Sequence, residues 1–248
     1  MSQGVNNNLV LIVGKSGTGK SASLRNLKDP KGVIYLNCES GKELPFAAKF
    51  KQQKITDPRQ VPAIIEQAED HSNIHTIVID TITFLMDMFE SNLVLKSKNK
   101  MEGWSNYAQF WKGLMQQSVA KSSKNIIMLA HTMDVLNEGE GIMETLVKVK
   151  GSVMNQGIEA YFCNVIACKK VALTALANYE SDLLNIEPDE EALGFKYVYQ
   201  TKLTKETVHE RLRGPLGLWT TKETFIDNDA QLVLDRLHEY YGEEEENA

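Results

Sequence analysis

The sequence predicts an α/β fold, a mainly parallel sheet flanked by helices with a C-terminal antiparallel extension. Two observations predict it. Apolar runs that read as buried strands alternate with segments of helical periodicity along most of the 248 residues, as they do where crossover helices join parallel strands. The first run, residues 9–13, leads straight into Gly14-Lys15-Ser16-Gly17-Thr18-Gly19-Lys20-Ser21, a glycine-rich turn from strand to helix.

The elements follow in order. A helix is expected to start near Lys20, and a second strand covers 32–39, launched by Asp29-Pro30-Lys31-Gly32. Asp57-Pro58-Arg59-Gln60 reads as a capping sequence, with Asp57 as N-cap and Pro58 at the first helical position. Val61, Ile64, Ile65 and Ala68 then mark one buried helical face. A third strand spans 74–80. A helix over 105–121 carries Tyr107, Phe110, Trp111 and Leu114 at core spacing. A fourth strand, 125–130, ends at His131, and a helix over 151–161 runs into a fifth strand, 162–171. Residues 197–203 read as a strand of the extension, with the acidic stretch 179–193 as its surface loop. In the last helix Asn228 is the expected N-cap, Gln231 the third residue and Gly242 the stop, with Ala230, Val233, Leu234, Leu237 and Tyr241 on the buried face. The chain divides most simply into one domain, 1–242, and an acidic tail, 243–248.

Composition narrows the setting. Hydrophobic and charged contents of 42% and 24% are ordinary for a globular protein, and no apolar run reaches membrane-spanning length. The start of the chain has no basic region of the signal-peptide kind. Cys38, Cys163 and Cys168 are too few and wrongly spaced for a zinc site or disulfide framework, and read as core residues in a reducing cytoplasm. Of the net charge of −6, residues 243–246 supply four acids. The body is thus nearly neutral, and any polyanion must be met by a local patch.

The glycine turn fits G-x-x-x-x-G-K-[ST] in the strand-to-helix setting that this P-loop pattern requires. Glycines at 14, 17 and 19 let the backbone curl so that N–H groups of residues 14–21 point at a phosphate chain. The following helix adds its N-terminal dipole. Lys20 is expected at the β- and γ-phosphates of ATP, and the Ser21 hydroxyl on Mg²⁺. His75-Thr76-Ile77-Val78-Ile79-Asp80 is an apolar strand ending in a carboxylate, as a Walker B strand does, so Asp80 is the second Mg²⁺ candidate. Hydrolysis needs a base. Thr81, after Asp80, cannot serve. Glu39 ends the neighbouring strand, where ligands bind in open α/β sheets, and is the general-base candidate. His131 is similarly placed to sense the γ-phosphate.

Taken together, the run 14–21, Glu39, Asp80-Thr81 and His131 resemble the RecA-like family of ATPases. The resemblance covers nearly the whole chain, and the compact length and the Trp104…Tyr107 helix leading to 126–131 look most like the short phage-encoded RecA-like proteins of single-strand annealing and recombination. The resemblance implies an ATPase stimulated by single-stranded DNA, in the host cytoplasm if phage-encoded. It also implies self-association into a ring or filament with nucleotide between subunits, and a recombination or replication protein as a further partner. Members carry one DNA-binding loop after Walker B and another after the polar sensor. The first place here holds Lys96, Lys98 and Lys100; the second is the glycine-broken stretch 137–151, with Lys148 and Lys150. Such lysines also suit a solvated loop. A cation from the neighbouring subunit is expected on the γ-phosphate, and Arg211 and Arg213 are the candidates, with ordinary surface charge as the alternative. His131 departs from the glutamine of RecA towards hexameric helicases and circadian-clock ATPases. A helicase-like motor is therefore the competing reading. A P-loop kinase of a small metabolite is a further one, but no lid with clustered arginines is present.

Overall fold

Leu9–Gly14 (β1) is buried along its whole length, as a central parallel strand covered on both faces must be. The computed structural model describes the backbone of residues 6–246 and the side chains of residues 6–242. After the glycine turn comes a 3-10 helix, Ser21–Asn26, in place of the expected α-helix; Lys28-Asp29-Pro30 leaves it no room to lengthen. Val33–Asn37 (β2) and the exposed edge strand Lys51–Lys54 (β3) follow. Gln60–Glu69 (α1) buries the four expected residues. Gln60 Oε1 accepts the Asp57 N–H at 3.0 Å, but Asp57 Oδ1 accepts from Arg59 N–H at 2.9 Å. Pro58 and Arg59 thus form a turn ahead of the helix.

Thr76–Asp80 (β4) is fully buried. Ile82–Phe89 (α2), unforeseen in the sequence, is capped by Thr81, whose hydroxyl accepts the Phe84 N–H at 3.4 Å. A π-helical turn, Glu90–Val94, extends it. Lys100–Gly113 (α3) starts earlier than expected because Asn99 Oδ1 accepts the N–H groups of Met101 and Glu102 at 3.1 and 3.3 Å. It ends in a second π-helical turn, Leu114–Val119.

The largest departure follows. The expected strand to 130 and loop over 137–151 are instead a long strand, Asn125–Asn137 (β5), folded back as Ile142–Val147 (β6). Thr132 faces Val147 and Asn137 faces Ile142 across this antiparallel hairpin. Gly151–Gln156 (α4), a 3-10 turn Ile158–Tyr161 and Asn164–Ala172 (β7) match the expected helix and strand. A short helix, Leu173–Leu176 (α5), precedes the acidic stretch, and a second, Pro188–Leu193 (α6), closes it. Phe195–Gln200 (β8) and Phe225–Asp227 (β9) form the extension. In Ala230–Glu246 (α7) the helix runs on through Gly242; one interior glycine costs only about 0.5–1 kcal/mol. Its first turn is capped by Asp229, whose Oδ1 accepts the Gln231 N–H at 2.9 Å, and not by Asn228. The side chains of the tail, 243–248, lie outside the described residues.

The strand order is β3-β2-β4-β5-β1-β7-β8-β9. The six strands from β3 to β7 are parallel, and β8 and β9 add antiparallel pairs. This is the mainly parallel sheet with a C-terminal antiparallel extension that the sequence predicts. Alternation along β1 sends Leu9, Leu11 and Val13 to one face, where Ile65, Leu85 and Trp111 pack, and Val10 and Ile12 to the other, where Leu24, Val233 and Leu237 pack. Each such side chain contributes about 1.5–3 kcal/mol by burial. The carboxyl ends of β1, β2, β4 and β5 are thereby fixed side by side. Cys38 and Cys168 are buried as expected, but Cys163 is exposed. Among the described residues, no helix is long and apolar enough to cross a membrane.

Candidate functional site

The P-loop is held from behind by its neighbours. A Cβ on Gly14 would lie 2.5 Å from the Cys168 carbonyl oxygen, so β7 can approach only a glycine. Gly19 has φ +93°, and a Cβ there would meet the Asn228 amide at 2.6 Å. That amide donates to the Gly19 carbonyl at 3.2 Å, and Cys168 Sγ donates to the Thr18 carbonyl at 2.9 Å. Thr18 Oγ1 closes the loop on the Lys15 carbonyl at 2.9 Å. Lys20 is buried, its ammonium donating to the carbonyls of Gly14 and Lys15 at 2.8 and 2.9 Å. Burial holds its pKa below the usual lysine range.

Asp80, at the carboxyl end of β4, is 2% exposed. Its Oδ2 accepts from Ser21 Oγ at 2.7 Å and from the Tyr35 hydroxyl at 2.8 Å. Its Oδ1 has no hydrogen-bond partner among the described residues. Burial pushes this carboxyl above the ordinary range against the pull of both donors. The Asp80–Thr81 peptide is cis. Among the described residues no cluster of three or more His, Cys, Asp or Glu could hold a metal. The two donors fit a hard cation shared with another ligand: the Ser21 hydroxyl and the Asp80 carboxylate, whose Oδ1 is the unpartnered oxygen.

Glu39 and His131 meet directly, although 92 positions separate them. Asn37 shapes the turn between, its Oδ1 accepting the Glu39 N–H at 3.0 Å. Lys20 Nζ lies 3.3 Å from His131 Nδ1, and His131 Nε2 lies 3.1 Å from Glu39 Oε1. An ammonium offers hydrogens only. Nδ1 must therefore accept, and the Nε2 hydrogen points at Glu39. This bond, with the Lys42 ammonium 3.3 Å from Oε2, outweighs burial and holds Glu39 below the usual carboxylate range. Thr83 Oγ1 accepts the His131 N–H at 3.0 Å, and the His131 carbonyl accepts the Lys148 N–H at 2.8 Å. Lys20, Ser21, Glu39, Asp80 and His131 all line one cavity of about 520 Å³.

The other candidates lie apart. Lys15 leaves the cradle to pair with Asp134 of the hairpin at 2.6 Å. Arg211 is bound within its own chain to Glu144 at 3.2 Å and Glu159 at 3.7 Å, while Arg213 is exposed. Lys96 and Lys98 are exposed in the turn before α3. Lys100 is spent on the carbonyls of Val94 and Leu95, capping the π-helical turn. Lys150 pairs with Glu90 of that turn at 2.5 Å, and Gly151 lies against Trp104. The two lysine-bearing segments are thus neighbours. Lys148 is exposed on the hairpin side. Tyr35, Asn37, Thr83 and Asn228 were not singled out from the sequence as parts of the site. Asn228 does carry a sequence signal, but as the expected N-cap of the last helix, whereas its amide reaches the Gly19 carbonyl.

A family model described as an AAA domain matches residues 6–158, more than half of the chain. Among solved structures, a KaiC-like protein from the hyperthermophilic archaeon Pyrococcus horikoshii OT3 is similar, with 15% identity, 82% of each chain covered and a TM-score of 0.45. No curated protein sequence matches the chain.

Proposed function

The chain belongs to the AAA domain family, and from that premise we propose that it hydrolyses ATP with Mg²⁺ and couples the cycle to its grip on single-stranded DNA. The observation that carries the reading is the unpartnered, buried Oδ1 of Asp80, a residue that lines the same cavity as Lys20, Ser21 and the Glu39–His131 pair. A buried carboxylate oxygen without a partner is expensive. A bound cation repays it. Ser21 and Asp80 would hold Mg²⁺, which when bound neutralises charge on the β- and γ-phosphate oxygens.

The remaining steps belong to the chain. Lys20 leaves the Gly14 and Lys15 carbonyls for the phosphates. Glu39 orients a water and takes its proton as the water oxygen bonds to the γ-phosphorus and the bond to the β,γ-bridging oxygen breaks. His131 loses Lys20 from Nδ1 while still donating to Glu39, so it registers phosphate occupancy. Its strand continues into the β5–β6 hairpin, beside the segments bearing Lys96, Lys98 and Lys148. DNA would be held there by phosphate contacts that read no sequence, in recombination, annealing or repair of the phage type. Self-association would place Arg213 of one subunit at the nucleotide of the next; Arg211 is already engaged at home.

The test is turnover with and without single-stranded DNA, in wild type and Glu39→Gln. We expect stimulation by single strands, and a Glu39→Gln protein that binds ATP normally while turning over about 10²–10⁴-fold more slowly. Unchanged turnover in Glu39→Gln removes the base. A rate that no polynucleotide alters removes the DNA partner. His131 favours a second reading, a hexameric helicase-like motor, which closed hexamers and duplex unwinding would support.

A further inference from the structure

We propose that the C-terminal extension supplies the nucleobase subsite of the cavity, with Tyr197 of β8 as the platform on which the base stacks and Arg25 beside it. This rests on the ATPase reading and adds to it the residues that recognise the nucleoside. The cavity is lined by two kinds of group. Lys20, Ser21, Asp80, Glu39 and His131 are suited to phosphate and metal. Arg25, Tyr197 and Asn228 line the same cavity, as do Glu190 and Lys196. A triphosphate alone offers a tyrosine ring nothing to stack on.

Tyr197 is placed for a base. A Cβ on Gly19 would come within 3.3 Å of Tyr197 Cδ1, so the ring lies against the phosphate loop itself. The ring is fixed by an edge contact with Phe195, centroids 5.8 Å apart, and by the Lys170 ammonium 5.6 Å from its centroid. It stays 37% exposed, although it is a large aromatic group. Its hydroxyl makes no hydrogen bond among the described residues, whereas the neighbouring Tyr199 is buried with its hydroxyl donating to Ser23 Oγ. Arg25 is anchored by Nη1 on the carbonyls of Asn228 at 2.8 Å and Ala22 at 3.2 Å. A pre-fixed ring and a pre-fixed guanidinium, both planar, beside the cradle suit a flat heteroaromatic ligand. Little ordering is left for binding to impose.

The experiment is calorimetric titration with Mg²⁺–ATP and with Mg²⁺–tripolyphosphate, which has the phosphates but no base. Tyr197→Ala should weaken ATP by about tenfold or more, the usual scale of a lost base–aromatic stack, and leave tripolyphosphate unchanged. Tyr197→Phe should bind both as wild type does. ATP affinity unaltered in Tyr197→Ala, or both ligands weakened equally, overturns the proposal. Should Tyr197→Ala not fold, photolabelling of the wild type with 8-azido-ATP decides. Label on the peptide containing Tyr197 is expected, and label confined to other peptides overturns it. Wild-type protein that binds neither ligand would instead overturn the ATPase reading, and this inference with it.

Discussion

Asp80 is where function works against stability most plainly. An ionised carboxylate buried with one oxygen unpaired destabilises the fold that contains it. Asp80→Asn removes the charge and keeps an oxygen for Ser21 and Tyr35. The expected result is a ligand-free protein more stable by about 1 kcal/mol, a melting temperature roughly 2–4 °C higher, and loss of Mg²⁺-dependent ATP affinity. The sign of the pH dependence follows from the raised pKa. Unfolded, the group ionises near pH 3.9; folded, it keeps its proton to higher pH. Its contribution therefore favours the fold below the unfolded value and is lost as pH rises through the folded one. The stability gap between wild type and Asp80→Asn should widen from acid towards neutral pH, as thermal melts at several pH values would show. A gap that narrows over that range would mean that Asp80 is well paired as an anion.

Among elements, α7 matters beyond its packing. Residue 228, just before it, reaches the P-loop, so a helix more than 200 residues downstream braces Gly19. Asn228→Ala should cost about 1–3 kcal/mol, the scale for stranding a buried partner, and weaken ATP binding. Asp229→Ala should cost about 1 kcal/mol as a lost cap and leave affinity unaltered. Comparing nucleotide affinity in the two variants checks this division. What the sequence made legible follows the same logic. β1, β2 and β4 announced themselves because strands buried on both faces are continuous apolar runs. The far half of β5 leaves the covered sheet, and its mixed residues after His131, with Gly139 and Gly141 beyond, read as a loop. Glu39 and His131 were each legible as strand-end residues, but their contact was not. β4 lies between their strands, putting them about 9.5 Å apart, a gap that two long side chains close only in the folded chain. Asn228 was misread because capping and bracing draw on the same residue type, and only the packing of α7 decides between them.

For the molecule as a whole, electrostatics limits how DNA can be held. The chain carries a net charge of −6, so there is no general attraction to a polyanion, and affinity must come from a few placed cations. Of the five lysines the sequence put forward, the fold spends two: Lys100 on backbone carbonyls and Lys150 on Glu90. Lys96, Lys98 and Lys148 are exposed and form no ion pair among the described residues. Three phosphate contacts on a single strand give a slope of about −2 for log K against log salt, at about 0.7 per phosphate. Binding should therefore be weak and only moderately salt-sensitive for one protomer. Lys98→Ala should lower the slope by about 0.7 and weaken binding equally for strands of different sequence. Fluorescence anisotropy on labelled oligonucleotides across a salt series measures both. A slope near −7 would require about ten phosphates, more than this face supplies, and would place the DNA on another surface or across several subunits. A slope of zero would mean that these lysines serve only to keep the turn in water.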